Sequence, residues 1–180
     1  KIRVFQGQEI TPEALLASAC LPTVFQTVEI DGEGYWDGGY SGNPALFPLY
    51  EPDLPDDILV VSINPMRRES LPETPLDIQN RINEISFNAS LLGELRAINF
   101  VRRLIEEGRM ERGRMKAVNV HMIADDGLMN DLSADSKLSP TPLLLERLKA
   151  AGRAAAERFL TNGGSKIGHE PSADLKGMLG

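Results

Sequence analysis

One carboxylate, Asp37, lies in the stretch of this sequence whose residue types best suit chemistry. It follows an aromatic pair and precedes Gly38 and Gly39. Glycine has no Cβ and tolerates positive φ, so other backbone can approach an acid in this setting closely. The stretch ends at Asn43-Pro44, which is typical of a helix N-cap and first turn. We therefore expect Asp37 on a tight loop between a strand and a helix, pointing into a cleft. An ordinary glycine turn is the competing interpretation.

A catalytic carboxylate needs a partner, and the sequence offers few. The Gly-x-Ser-x-Gly elbow, which exposes a serine on a strand-to-helix turn, is absent from the 180 residues. Ser41 is one residue short of that spacing, which favours turn chemistry. Asp37 and His121 do follow the Ser…Asp…His order of α/β-hydrolases, with the serine missing. However, His121 falls inside a predicted strand, which favours a structural role over a base.

The remaining reactive residue types predict no further site. Cys20 stands among small and apolar residues, which is typical of a buried side chain rather than a nucleophile. His121 and His169 are not at ligand spacing from a Cys, another His or an acid, so we predict no metal. Residues 163–166 resemble a phosphate loop only faintly, because the preceding Gly spacing and the following helix are missing. We predict no cofactor.

Composition narrows the class of protein. The net charge of −7 argues against nucleic-acid binding and against electrostatic docking on anionic lipid. Basic residues do cluster at 102–103 and 109–116, where a solvated helix end and loop is favoured over a ligand site. No apolar run reaches the length of a transmembrane helix. A single cysteine excludes an internal disulfide and fits a reducing compartment, so we expect a cytoplasmic protein.

The order of predicted elements indicates an α/β fold. Strands are predicted at 2–5, 24–30, 58–63 and 116–123, helices at 13–19, 76–107 and 143–160, and a hairpin turn within 31–36. The strand at 58–63 is almost continuously apolar, which is typical of a strand buried on both faces. The long helix has an apolar stripe that predicts its core face, with a possible kink at 88–93. The stripe comprises Ile78, Ile82, Ile85, Leu92, Leu95, Ile98, Val101 and Ile105.

Buried strands need neighbours on both sides, and only three or four strands are present. The chain also begins at Lys1, without Met, in a strand-like run. We therefore expect strands to be missing upstream and the N-terminus not to be native. Residues 1–162 are predicted to form the C-terminal part of a single domain. Residues 163–180 are rich in Gly, Ser and Lys without periodicity, which predicts a flexible tail.

Two ordered blocks resemble the patatin-like phospholipase family of the bacterial type. Residues 17–22, Ala-Ser-Ala-Cys-Leu-Pro, resemble its Ala-Ser-x-x-x-Pro block. Asp37-Gly38-Gly39, followed by Asn43-Pro44, resembles its Asp-Gly-Gly/Ala motif. Later segments at 58–65, 82–88 and 136–138 also resemble the family, so that the resemblance covers roughly residues 1 to 162.

The resemblance implies a three-layer α/β fold like the catalytic domain of cytosolic phospholipase A2, with its N-terminal part missing. It also implies hydrolysis of lipid acyl esters by a Ser-Asp dyad without a catalytic His. Asp37 matches the dyad Asp, and Gly38 and Gly39 complete its motif. The family's serine elbow and oxyanion loop lie upstream and are not in this chain. We therefore expect these 180 residues alone to be inactive.

The implied partners are a lipid or acyl-ester substrate and the missing N-terminal segment, joined covalently or as a nicked chain. Two further partners are left open by the sequence: a membrane surface, contacted transiently, and other copies of the chain in an oligomer. The second hypothesis is non-enzymatic: a binding or regulatory module of the same fold that lost its nucleophile.

Overall fold

A computed structural model describes residues 1–22, 24–68, 71–132 and 140–179. The helices are α1 (Pro12–Ser18), α2 (Pro75–Glu106), α3 (Asp126–Asp131), α4 (Pro142–Gly163) and α5 (Leu175–Leu179). The strands are β1 (Val28–Ile30), β2 (Glu33–Tyr35), β3 (Asp57–Ser62) and β4 (Asn119–Ala124). This mixture of helices and small sheets fits the predicted α/β class. The three-layer arrangement stays a prediction.

Three helices begin at the same local signal, a threonine followed by proline. Thr11, Thr74 and Thr141 are the N-caps of α1, α2 and α4, and each accepts a hydrogen bond from the amide three residues on. The proline that follows each threonine needs no amide partner in the first turn. The predicted helix starts are therefore confirmed to within a residue or two.

The hairpin is also confirmed. β1 and β2 pair antiparallel with Ile30 opposite Glu33, so the turn consists of Asp31 and Gly32. Their φ angles are 54° and 80°. Two-residue hairpin turns whose twist matches the strands need positive φ at both positions, which Asp and Gly adopt more readily than other residues. The hairpin ends directly before Trp36 and Asp37.

The second sheet is a parallel pair. β3 and β4 pair in register from Asp57 with Asn119 to Ser62 with Ala124, and α2 is the helix that connects them. One face of the pair shares a core cluster with α2, and α4 packs against β4. The core cluster consists of Leu46, Ile58, Val60, Leu91, Leu95, Ile98, Val118, Val120 and Leu175.

β3 is not buried on both faces, which corrects the prediction. Ile58 and Val60 lie in the core, whereas Leu59 and Val61 are 46% and 62% exposed. In the described part of the chain β3 pairs only with β4, and α4 packs against β4. The alternating pattern therefore reflects one covered face and one open face.

The core face of α2 also differs from the predicted stripe. The C-terminal half follows the prediction, with Leu95 and Ile98 buried. In the N-terminal half Ile78, Ile82 and Ile85 are exposed, and the buried residues there include Glu84 and Asn88. Polar partners from other segments satisfy these two side chains, as described below. The helix is continuous from Pro75 to Glu106, so it does not break at 88–93, where the sequence suggests a weak point.

Two local predictions near the N-terminus are wrong. Residues 2–5 form no strand, since among the described residues no strand pairs with them. No α-helix begins at Pro44; residues 43–44 form a turn with a cis peptide bond, and a short 3-10 helix follows at Phe47–Leu49. An α-helix from Pro44 would need the amide of residue 48 as a donor, and that residue is proline.

The C-terminal segment is ordered against the sheet, unlike the flexible tail that the sequence predicts. The amides of Ser172 and Ala173 both donate to the carbonyl of Val120, at 3.2 and 3.1 Å. Leu175 is buried in the core and α5 packs on α2. The missing periodicity reflects short turns rather than free chain. No helix among the described residues is both long and apolar enough to span a bilayer.

Candidate active site

Asp37 is half-buried on the loop that follows β2. Its carboxylate Oδ1 accepts a hydrogen bond from the Gly39 amide at 2.7 Å, which caps a 3-10 turn at Gly38–Tyr40. Within the described residues, the other oxygen, Oδ2, accepts no hydrogen bond from the protein. The carboxylate is therefore held at one oxygen and open at the other. This is the arrangement that a general base needs, because proton transfer requires one free, oriented acceptor.

The backbone of Asp37 is fixed by the segment that follows α1. The amide of Asp37 donates to the carbonyl of Cys20 at 2.9 Å. Cys20 is buried, as predicted, and its thiol donates to the carbonyl of Gln26 at 2.9 Å. Residues 17–22 and the Asp37 loop, separate in the sequence, thus lie side by side.

The two glycines after Asp37 have different surroundings. A Cβ on Gly39 would lie 3.0 Å from Asp37 Oδ1, whereas a Cβ on Gly38 would meet nothing within 4 Å. Neither glycine has a positive φ, so the freedom of glycine to adopt positive φ does not explain either of them. The close approach at Gly39 is made by the Asp37 carboxylate itself, and only a residue without a side chain leaves room for it there.

Aromatic side chains occur on the Asp37 loop and near it in the sequence. Trp36 and Tyr40 are about half exposed, and so is Phe25, which lies just beyond the Cys20 segment. Tyr40 also makes an edge-to-face contact with Phe87 of α2, with ring centroids 5.6 Å apart. Exposed aromatic side chains on the loop of a carboxylate suit a substrate with an acyl chain better than a polar one.

His121 does not belong to this site. Its Nε2 lies 2.8 Å from Asp57 Oδ1 and its Nδ1 lies 2.9 Å from Ser172 Oγ. The imidazole is 1% exposed and packs edge-to-face on Phe159. Both ring nitrogens are therefore occupied by residues other than Asp37, which argues against the rival triad.

Ser172, His121 and Asp57 form a Ser-His-Asp chain in their own right, but its surroundings do not suit acyl transfer. A Cβ on Gly163 would lie 3.3 Å from Ser172 Oγ, so the hydroxyl packs against helix backbone. The Ser172 and Ala173 amides already donate to Val120, so they cannot stabilise an oxyanion. These hydrogen bonds connect the C-terminal segment, through Ser172, to Asp57 of β3 and His121 of β4.

The electrostatics of Asp57 agree with this structural role. Partial burial raises the pKa of the Asp57 carboxyl, but hydrogen bonds from His121, the Gly168 amide and Asn119 outweigh that effect and lower its pKa below the ordinary value. The carboxylate is thus held in its charged form by donors that come from β4 and from the C-terminal segment.

In the basic cluster at 109–116, Lys116 has a structural role. Lys116 Nζ donates to the carbonyls of Leu49, Glu51 and Leu54, at 3.2, 2.7 and 2.7 Å. It therefore holds the linker before β3 and is not available to a ligand. Among the described residues no group of three His, Cys, Asp or Glu side chains is arranged to hold a metal ion.

The family comparison bears on the segment that carries Asp37. The model of the family "Patatin-like phospholipase" matches residues 6–50. Residues 6–50 are therefore similar to this family. The matched range contains the 17–22 block, Asp37, both glycines and Asn43-Pro44, and it ends where the linker to β3 begins. Neither the curated proteins nor the solved structures give a significant match.

The rest of the predicted resemblance lies outside the matched range. Segments 58–65 and 82–88 correspond to β3 with its following loop and to the middle of α2. Their family assignment stays a prediction. Residues 136–138 lie outside the residues that the structure describes.

Sequence reasoning missed the buried polar residues of α2 that hold the loop after β3. Glu84 is buried and binds Arg68 of the loop after β3, with a closest distance of 2.7 Å. Asn88 Nδ2 donates to the carbonyl of Pro65 at 2.8 Å. A signal was present, because Glu84, Asn88, Leu91 and Leu95 recur at helical spacing beside the apolar stripe.

Proposed function

We propose that this chain supplies the catalytic Asp of a lipid acyl hydrolase that uses a Ser-Asp dyad. The observation that carries the proposal is the Asp37 carboxylate, held at Oδ1 by the Gly39 amide and open at Oδ2. The patatin-like match over residues 6–50 supports lipid hydrolysis at the level of the family. Gly39 leaves room for the carboxylate, because a Cβ at that residue would lie 3.0 Å from Asp37 Oδ1.

In this mechanism Asp37 Oδ2 accepts the proton of a serine hydroxyl as the serine oxygen attacks the ester carbonyl. The proton then passes to the leaving alcohol, and an acyl-serine remains. Asp37 next accepts a proton from water as the water oxygen attacks the acyl-serine. That proton passes to the serine oxygen as the acyl–oxygen bond breaks, which releases the fatty acid and restores the serine hydroxyl and the Asp37 carboxylate. Two proton transfers by one base are the usual pattern of acyl-enzyme chemistry.

The serine and the oxyanion donors come, in this proposal, from a segment outside these 180 residues. The open face of β3, with Leu59, Val61 and Ile63 exposed, gives such a segment an apolar surface to pack on. Exposed large aliphatic side chains in a row on a sheet face are typical of a surface that another element covers. The substrate is a lipid or fatty-acyl ester, and its acyl chain lies against Trp36, Tyr40 and Phe25. This apolar surface also supports transient contact with a membrane surface.

The test compares the 180-residue chain with a longer protein that contains a Gly-x-Ser-x-Gly segment upstream. The chain alone should neither hydrolyse an activated acyl ester nor react with a fluorophosphonate. The longer protein should do both.

In the longer protein Asp37→Asn should lower kcat by about 10³-fold, which is typical of removing a general base. Asp31→Asn is the matched control, because Asp31 is exposed and its positive φ suits asparagine. Full activity in Asp37→Asn, or fluorophosphonate labelling of Ser41 or Ser172 in the short chain, would overturn the proposal. A longer gene product without a serine elbow would favour the binding module instead.

A further inference from the structure

We propose that Phe87 and Ser90 of α2 are positioning residues for Asp37, an inference that rests on the proposed role of Asp37 as the base. The Phe87 ring meets Tyr40 edge-to-face at 5.6 Å. The Ser90 hydroxyl oxygen accepts a hydrogen bond from the Asn43 amide at 3.3 Å. Phe87 and Ser90 are three residues apart on a helix and therefore share a face.

The Asp37 loop is thus attached to α2 on the C-terminal side of the carboxylate, at residues 40 and 43. On the N-terminal side it is attached to Cys20 through the Asp37 amide. The direct support of the carboxylate, the Gly39 amide, lies between these attachments. Movement at residues 40–43 therefore changes the position of Gly39, and with it the direction of Asp37 Oδ2.

α2 is a suitable reference for this loop because its next turns are fixed in the core. Leu91, Leu95 and Ile98 are buried against Ile58 and Val60 of β3. A helix that packs on a sheet in this way has few alternative positions, since close-packed interiors do not deform continuously. The contacts of Tyr40 and Asn43 with α2 therefore restrict the position of the loop that carries Asp37.

The same turn of α2 also holds the loop that follows β3. Asn88 binds the carbonyl of Pro65, three residues beyond the end of the strand. In α/β folds, ligands bind outside the carboxyl ends of the parallel strands. Residues 87–90 therefore set the position of Asp37 relative to the edge of the sheet where a substrate would bind.

Catalysis is sensitive to such a position, because a displacement of about 1 Å can cost about 10²-fold in rate. A purely structural role predicts something different: loss of stability without a specific effect on the Asp37 loop. The two roles can be separated by measuring the loop itself.

The first experiment measures backbone amide hydrogen exchange by NMR in the 180-residue chain. Ser90→Ala should speed exchange about fivefold at Asn43, which loses its acceptor, and also at Gly39 and Asp37. Ser86→Ala is the matched control, because Ser86 is an exposed serine on the same helix. Ser90→Thr keeps the hydroxyl and should restore slow exchange.

Faster exchange at Asn43 alone, with Gly39 and Asp37 unchanged, would contradict the proposal. Should Ser90→Ala fail to fold, Phe87→Leu removes the ring contact while nearly keeping the side-chain volume. It should give the same pattern at Gly39 and Asp37. An unchanged pattern there in Phe87→Leu would overturn the positioning role.

The second experiment measures kinetics in the longer protein. Ser90→Ala and Phe87→Leu should lower kcat about tenfold or more with little change in KM, and Ser86→Ala should change neither. Equal kcat in all three variants would contradict positioning. Faster exchange at Gly39 in a protein whose wild type hydrolyses no ester would refute the proposed function and leave the loop contact standing.

Discussion

The backbone amide of Asp37 donates a hydrogen bond to the backbone carbonyl of Cys20, with a nitrogen–oxygen distance of 2.9 Å. The contact joins two segments of the range 6–50, which matches the family model, and the hairpin separates them in sequence. Because it uses main-chain atoms, it depends on the path of the chain, and the side chain at position 20 affects it only through that path. The buried thiol, bound to the Gln26 carbonyl, fixes that path.

Replacing Gly39 should be far more harmful than replacing Gly38. A Cβ at residue 39 would lie 3.0 Å from Asp37 Oδ1, so the carboxylate must shift and its 2.7 Å hydrogen bond weaken. We expect Gly39→Ala to lower kcat of the longer protein about 10²-fold, as for a displaced catalytic group. Steady-state kinetics with an activated acyl ester measures the effect.

Gly38→Ala is the internal control, since its Cβ would meet nothing within 4 Å and its φ is not positive. It should retain activity within about threefold, because no catalytic contact is disturbed. Similar activities in the two variants would show that the Asp37 carboxylate is not held as described.

Asp57 should make the stability of the chain depend on acid pH. Its pKa in the folded state is lowered, so the unfolded carboxyl takes up its proton first as the pH falls. The stabilisation is therefore complete above the ordinary value of 3.8 and is lost as the pH falls through the folded pKa. Urea unfolding followed between pH 7 and pH 2.5 measures this dependence.

In Asp57→Asn the decline of the unfolding free energy with acid should be shallower than in the wild type. Asp53→Asn changes an exposed carboxyl and serves as the control. Parallel pH curves for the wild type and Asp57→Asn would mean that the hydrogen bonds from His121, Asn119 and Gly168 do not favour the carboxylate.

His121→Ala should lower the stability of the fold without lowering the rate of ester hydrolysis. The substitution leaves Asp57 and Ser172 without their shared partner and opens a cavity next to Phe159. We expect a loss of about 2–4 kcal/mol in the unfolding free energy, as for other buried side chains with polar partners. At temperatures below the unfolding midpoint of the His121→Ala variant, its rate of ester hydrolysis in the longer protein should stay within about threefold of wild type.

The control is His169→Ala, because His169 is exposed and should affect neither property. Loss of hydrolysis in folded His121→Ala would restore the Ser-Asp-His triad as a hypothesis.

Much of the local structure could be predicted from the sequence because short-range chemistry decides it. Thr-Pro pairs cap three helices, Asp31-Gly32 supplies the two positive φ angles of the hairpin, and the apolar run at 58–63 gives β3. The start of α3 also has a local cause, because the N-cap Asp125 accepts a hydrogen bond from the Leu128 amide. An aspartate before a short helix is a sequence signal that predicts such a start. The two blocks around Cys20 and Asp37 were also sufficient to indicate the family resemblance.

Tertiary contacts decided what each face of these elements meets. Glu84 and Asn88 are buried because Arg68 and the Pro65 carbonyl, distant in sequence, satisfy them. His121 was paired with Asp37 only by order along the chain, and the parallel register places it with Asp57 instead. Asp37, by contrast, could be singled out from its neighbours, but its position against Cys20 and α2 required the folded chain. Hydrogen bonds and packing between remote segments depend on which segments the fold brings together in space. The local residue pattern does not determine that.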